Sequence, residues 1–292
     1  EQAMGGWGPL APEGTVLYNN PENFLKSGLY QKYDVSVSGG SERFSSYTSG
    51  NYVRHDGIVP SDYLERYGVL FKSKYDVSEK VSVDFMANFV SRNSRGGAGL
   101  SSAYQWPIDD DITNYKNPDG TIRFLYIDTN NRYNSPVSPL WARYEDSSRY
   151  DSNRSLLQGS VTWTIIKNLD LIGRISYDHT ESESKSIVTP RWSLEPGQSP
   201  TSEDLDYLGS FFYSDGKSSV VNGGILATYS KELTPDFGME LLAGVDLKSS
   251  YGRSAGLGGR QFIVPEFYSV NNLADIRREN ITMNRTEKNM YG

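Results

Sequence analysis

The side chains able to do chemistry are few. The 292 residues include two histidines and no cysteine. Thiol catalysis and cysteine-ligated metals are therefore excluded. His55 and His179 each fall at an expected strand–loop junction, and neither has a second ligand at helical spacing, so neither is assigned a metal or catalytic role. Asp109-Asp110-Asp111, followed by Asp119-Gly120, is the strongest cation candidate, because carboxylates on a loop can ligate calcium. Within it Asp109 and Asp111 are the candidate ligands. The spacing is not that of an EF-hand, and a solvated acidic loop is the simpler account. The same region holds Tyr104, Trp106, Tyr115, Tyr126, Tyr133 and Trp141 among Asp and Asn residues. Aromatic faces stack on sugar rings while amides and carboxylates hold their hydroxyls. Trp106 and Trp141 are thus the ligand-binding candidates, against the plainer reading that they pack the loop. No G-x-S-x-G, Walker or G-x-G-x-x-G element occurs. A carboxylate pair for glycoside hydrolysis cannot be chosen among 36 acidic residues, because the relevant separation is spatial. The expectation is a protein that is not an enzyme, with no catalytic residue and no cofactor.

Those residues sit on a chain written in the period of a β-strand. In the stretch 237–250, Met239, Leu241, Ala243, Val245 and Leu247 share one face, while Glu240, Gly244, Asp246 and Lys248 share the other, with Leu242 the one apolar intruder. With 217–230 and the turn between, this makes a hairpin whose strands exceed the usual length. About 9–11 tilted residues cross a bilayer, so the hairpin has membrane-spanning dimensions. The same alternation places strands at about 31–39, 43–54, 66–76, 80–91, 154–166 and 169–180, with a further start at 286–292. Long polar connections are expected at 92–153, 181–216 and 251–285. Short and long connections alternate along the chain. In an up-and-down meander that puts every tight turn on one side and every long loop on the other, as in outer-membrane barrels with short periplasmic turns and long extracellular loops. A soluble sandwich follows no such rule.

Composition agrees. Twenty-one tyrosines and 28 glycines suit strands with polar loops. No run of 18 apolar residues is present, and a mean hydropathy of -0.56 is compatible with a barrel whose lumen and loops are polar. A net charge of -7 argues against a nucleic-acid partner. The chain carries no signal peptide and stops at what reads as a strand start, so an internal piece of a longer protein is expected.

Several short motifs then fall in one order. Trp7-Gly8-Pro9 comes first, followed by Asn20-Pro21-Glu22-Asn23-Phe24-Leu25-Lys26-Ser27-Gly28. Tyr33 to Glu42 (YDVSVSGGSE), Asp56-Gly57-Ile58-Val59, and Tyr63 to Tyr67 come next. Ser138-Pro139-Leu140-Trp141 and Val264 to Ser269 (VPEFYS) close the series. Together they resemble the barrel of SusC-like TonB-dependent outer-membrane transporters over most of the chain. The resemblance implies an all-β, antiparallel, up-and-down transmembrane segment of about eight or nine strands from a barrel of about 22, with the plug domain outside this sequence. It further implies TonB-dependent uptake of an oligosaccharide or peptide, a SusD-like surface lipoprotein over the mouth, and contact with the TonB complex through parts absent here. Outer-membrane lipid would bathe one strand face. The alternative is a secreted, soluble β-rich carbohydrate-binding or glycan-degrading domain, whose strands would bury that face in a protein core.

Overall fold

A computed structural model describes residues 12–96, 99–128, 135–191, 207–264 and 266–291. Nine strands form one antiparallel sheet in sequence order: β1 (Leu29–Gly40), β2 (Phe44–Asp56), β3 (Tyr63–Ser78), β4 (Val81–Arg95), β5 (Ser147–Ile166), β6 (Leu169–Val188), β7 (Ser210–Thr234), β8 (Phe237–Phe262) and β9 (Leu273–Tyr291). Each strand pairs only with its sequence neighbours, leaving β1 and β9 as the two edges. Three short helices accompany the sheet: α1 (Asn20–Phe24), α2 (Leu100–Gln105) and α3 (Pro139–Tyr144).

Register makes the alternation continuous across the sheet. Val35 stands opposite Gly50, Gly50 opposite Val69, and Val69 opposite Phe89. Leu157 lies opposite Tyr177, Tyr177 opposite Val221, Gly173 opposite Ile225, and Ile225 opposite Val245. These side chains form one apolar face without a covering layer: Val35 is 69% exposed, Ile175 60% and Ile225 56%. A band of this extent far exceeds the patches that soluble monomers expose. Its borders are aromatic. Tyr33, Tyr52 and Tyr67 stack along one edge, with ring centroids 6.3 and 5.0 Å apart. Tyr75, Trp163 and Tyr229 stand toward the other, where the short turns lie. The opposite face carries Ser36, Lys72, Asp84, Gln158, Ser176, Asn222 and Asp246.

The tight turns are residues 41–43, 79–80, 167–168 and 235–236, all at one end of the sheet. The connections at the other end are 57–62, 96–146, 189–209 and 263–272. The expected side-by-side asymmetry therefore holds, but the boundaries move. β5 begins at Ser147 instead of 154, β6 runs on to Val188, β7 starts at Ser210, β8 continues to Phe262, and β9 starts at Leu273 instead of 286. The loops expected at 92–153, 181–216 and 251–285 contract accordingly. In these extensions the clean alternation of the band is lost. Charged pairs such as Arg149 with Asp151 and Lys217 with Glu181, at 2.7 Å, stand on the side that carries the apolar band lower down. Apolar residues such as Phe211, Phe262 and Leu273 recur without a strict period of two. Without a continuous apolar face the period-two signal vanishes, although the backbone ladder continues. β8 has 26 residues, roughly 85 Å at the usual rise per residue. Only about 9–11 of those are needed to cross hydrocarbon, so the polar remainder stands clear of it. His179 consequently lies within β6, not at a junction.

Candidate substrate-facing surface

The long-connection end is closed by a small packed unit built mainly from 96–146. Asn19-Asn20-Pro21 starts α1 with Pro in its first turn, where a missing N–H costs nothing. Asn20 is then buried with its amide fully used: Nδ2 donates to the Pro107 and Asp110 carbonyls at 2.7 and 3.0 Å, and Oδ1 accepts from the Ile112 N–H at 3.0 Å. Phe24, Ala103, Trp106, Ile112 and Leu140 pack around it as the unit's core, flanked by Leu25, Val59, Tyr115 and Leu125. Ser138 caps α3, accepting from the Leu140 N–H, while its hydroxyl donates to the Ile112 carbonyl at 2.7 Å. α1, α2 and α3 are each too short to persist alone, so their order comes from this packing.

Charged side chains tie the unit together and to the sheet. Arg123 grips Asp110 with two nitrogens, at 2.5 and 3.0 Å, and Trp106 Nε1 donates to the same carboxylate at 3.0 Å. Arg143 pairs with Asp62 and donates to the Pro60 carbonyl, joining α3 to the β2–β3 connection. Arg95, at the end of β4, donates to the Arg143 and Asp146 carbonyls. Asp146 Oδ1 accepts from the Thr189 N–H and hydroxyl, both at 2.8 Å. Burial pushes the Asp146 carboxyl above the usual carboxylate range, and burial likewise raises Asp62 against the opposing pull of Arg143. At the exposed tip, hydrogen bonds from Thr121 hold Asp119 low.

The sequence candidates fall as follows. Trp106 is 3% and Trp141 7% exposed, so neither offers a free ring face. Trp141 Nε1 donates to Thr189 Oγ1 at 3.0 Å, and Lys116 lies over its ring. Of these candidates Tyr104, 68% exposed, and Tyr126, 44% exposed, have ring faces open to a solute. Tyr115 packs against Tyr144, and Tyr133 lies outside the described residues, as does Trp7. Asp111 turns back to its own loop, accepting from the Thr113 N–H and hydroxyl. Asp109 is exposed, and Asp110 is spent on Arg123. Among the described residues no group of three His, Asp or Glu side chains converges to hold a metal. His55 packs edge-on to Tyr30, and His179 Nδ1 lies 2.8 Å from Ser219 Oγ. The polar skeleton of Asn20, Asp62, Arg143 and Asp146 had no sequence signature, because its partners lie tens of residues away, and Arg123 reaches Asp110 across 13 residues. The Asp-x-Thr pairs at 111–113 and 119–121 were legible, since each is a local turn.

Comparison with known proteins places this arrangement. No family model matches the chain. TonB-dependent receptor P3 of Formosa agariphila is 30% identical over 143 residues, covering 44% of this chain and 14% of that protein. TonB-dependent receptor P26 of the same organism is 38% identical over 66 residues, covering 22% of this chain and 6% of that protein. Among solved structures, the RagAB peptide transporter aligns with a TM-score of 0.68 at 18% identity, over 91% of this chain and 30% of that chain. The RagAB peptide importer in its open-open state aligns at 0.67 over 94% of this chain. The fold is thus that of a stretch of such a transporter, and the chain spans a minor part of the length of each relative.

Proposed function

We infer that this chain is part of the barrel wall of a SusC-like TonB-dependent receptor in the bacterial outer membrane, 1–292 belonging to a single barrel domain. The whole protein takes up a nutrient too large for passive pores, driven through the TonB complex by segments outside this sequence. An oligosaccharide or a peptide is the solute, and a SusD-like surface lipoprotein sits over the loop end. The observation that carries this reading is the bare apolar band, bordered by aromatics, on a sheet whose other face is polar and whose long connections share one end. A soluble domain would have to cover that band, and nothing in the described chain does. Lipid would.

Two measurements test the proposal. The full-length protein should be recovered from outer membranes only with detergent, together with a lipoprotein in about equal amount. Its nutrient uptake should stop when TonB is removed. A full-length protein that is soluble without detergent would sink the reading.

A further inference from the structure

On the polar face, one row of register partners runs Lys32, Val53, Arg66, Arg92, Ser152 across β1 to β5. Arg154 stands one inward step along β5 from Ser152, and His55 one step along β2 from Val53. Lys32 is paired with Asp34 at 3.0 Å and Arg154 with Asp178 at 2.5 Å. Arg66 and Arg92 are different. They face each other directly across β3 and β4, both are exposed, and among the described residues neither makes an ion pair. The guanidinium of Arg92 lies 5.8 Å from the Tyr150 ring centroid, which orients it without neutralising it. The neighbours in the row, Val53 and Ser152, carry no charge. Directly opposed like charges destabilise a strand pair. The chain has 36 acidic against 29 basic residues, so carboxylates to offset this pair are plentiful, yet among the described residues none pairs with it.

From this juxtaposition we propose that Arg66 and Arg92 bind an anionic group, a carboxylate or sulfate, carried by the transported solute. The inference rests on the transporter reading above and deepens it by naming the substrate class: an anionic oligomer. Planar guanidinium forks on register-paired residues of adjacent strands suit the oxygens of a carboxylate or sulfate, and the repulsion between the two like charges is relieved when the anion arrives. The row lies near the long-connection end of the polar face, one inward step below Leu64 and Ser94, so a solute passing the loop unit meets it early. Lys32 and Arg154 are neutralised by carboxylates of their own, which leaves Arg66 and Arg92 as the cations of this row without an ion-pair partner among the described residues.

The test uses the full-length receptor in detergent, as wild type, as the Arg66→Gln/Arg92→Gln double variant, and as Arg66→Lys/Arg92→Lys. The probes are inorganic sulfate, a hexameric oligogalacturonate with its neutral methyl ester, and a glutamate-rich peptide with its amidated counterpart. The expected result is that at least one charged oligomer binds wild type about tenfold more tightly than the Gln variant and competes with sulfate, while its neutral counterpart does not distinguish the two. The oligomer that does so identifies whether the carboxylate comes from sugar or peptide. The Lys variant, which keeps charge but loses the fork, should fall between. Removing opposed like charges should leave thermal stability equal or higher, so a folding defect will not mimic the effect. Equal binding of every anion to wild type and the Gln variant, or binding of none, overturns the inference. A receptor that gives this result yet still co-purifies with its lipoprotein and depends on TonB loses the anion site alone and keeps the transport reading.

Discussion

At the scale of single residues, the loop unit depends on buried polar groups that have one correct partner each. Asn20 and Asp110 are the clearest: Asn20 serves a segment about 90 residues away, and the Asp110 carboxylate holds Trp106 and Arg123 of its own loop. Asp110→Ala would leave the Trp106 N–H without its acceptor and the Arg123 guanidinium with only the Asn114 carbonyl, and should destabilise the unit by about 1–3 kcal/mol. Trp106→Ala should cost more, about 3–5 kcal/mol, because it empties the packed core. Limited proteolysis within 96–146 measures both. If Trp106→Ala instead weakened solute binding with no change in protease resistance, Trp106 would be a contact residue and not a packing one. Asp146 makes a pH prediction. Its folded pKa is raised by burial, so its contribution to stability is full below the ordinary carboxylate range and is lost as pH rises through the raised value. The Thr189 amide, bonded to it, should gain hydrogen-exchange protection as pH falls from neutral toward that range. Asp146→Asn keeps an oxygen acceptor and removes the charge; its protection should be flat over the same interval.

At the scale of elements, the two faces of each strand answer to different solvents. Ile225 and Asn222 are three positions apart on β7, on opposite faces. Ile225→Arg places a charge in the middle of the apolar band and should cost about 2–4 kcal/mol in lipid, while Asn222→Arg on the polar face should be close to neutral. Urea unfolding of the full-length protein in phospholipid vesicles measures the difference, and equal effects would contradict the assignment of faces. The hairpin ends place a second demand on sequence. Gly209 enters β7 with φ +81°, and a Cβ there would lie 2.7 Å from the Phe262 ring and 2.9 Å from the Val188 carbonyl. Gly209→Ala therefore combines backbone strain with collision, and should loosen the small cluster of Phe211, Phe262 and Leu273. Slower folding and greater protease sensitivity at 263–272 are the expected signs.

For the whole molecule, the sheet has two open edges and an apolar face with no cover. Both demand partners: further strands for β1 and β9, and lipid for the band. The 292-residue chain expressed alone should not form a stable monomer in water; size-exclusion chromatography should find it aggregated, and a sharp monomer peak without detergent would count against the barrel reading. Several ions of the polar face are held in pairs, such as Arg174 with Asp246 at 3.2 Å, in contrast to Arg66 and Arg92.

The amino-acid order alone determined the meander, its two faces and the side on which the long connections lie. Each of these is written in local period and turn spacing, as in Met239 to Leu247 and the Lys167-Asn168 turn. Sequence also held, in order, the short motifs that carry the resemblance to SusC-like transporters. It could not determine where β5 to β9 end, because beyond the apolar band polar and apolar residues no longer alternate with a period of two, although the backbone ladder continues. Nor could it decide the fate of Trp106 and Trp141, which tertiary packing buries, or the meeting of Arg66 with Arg92. Those depend on register and on contacts between distant segments, and only the folded sheet brings them together.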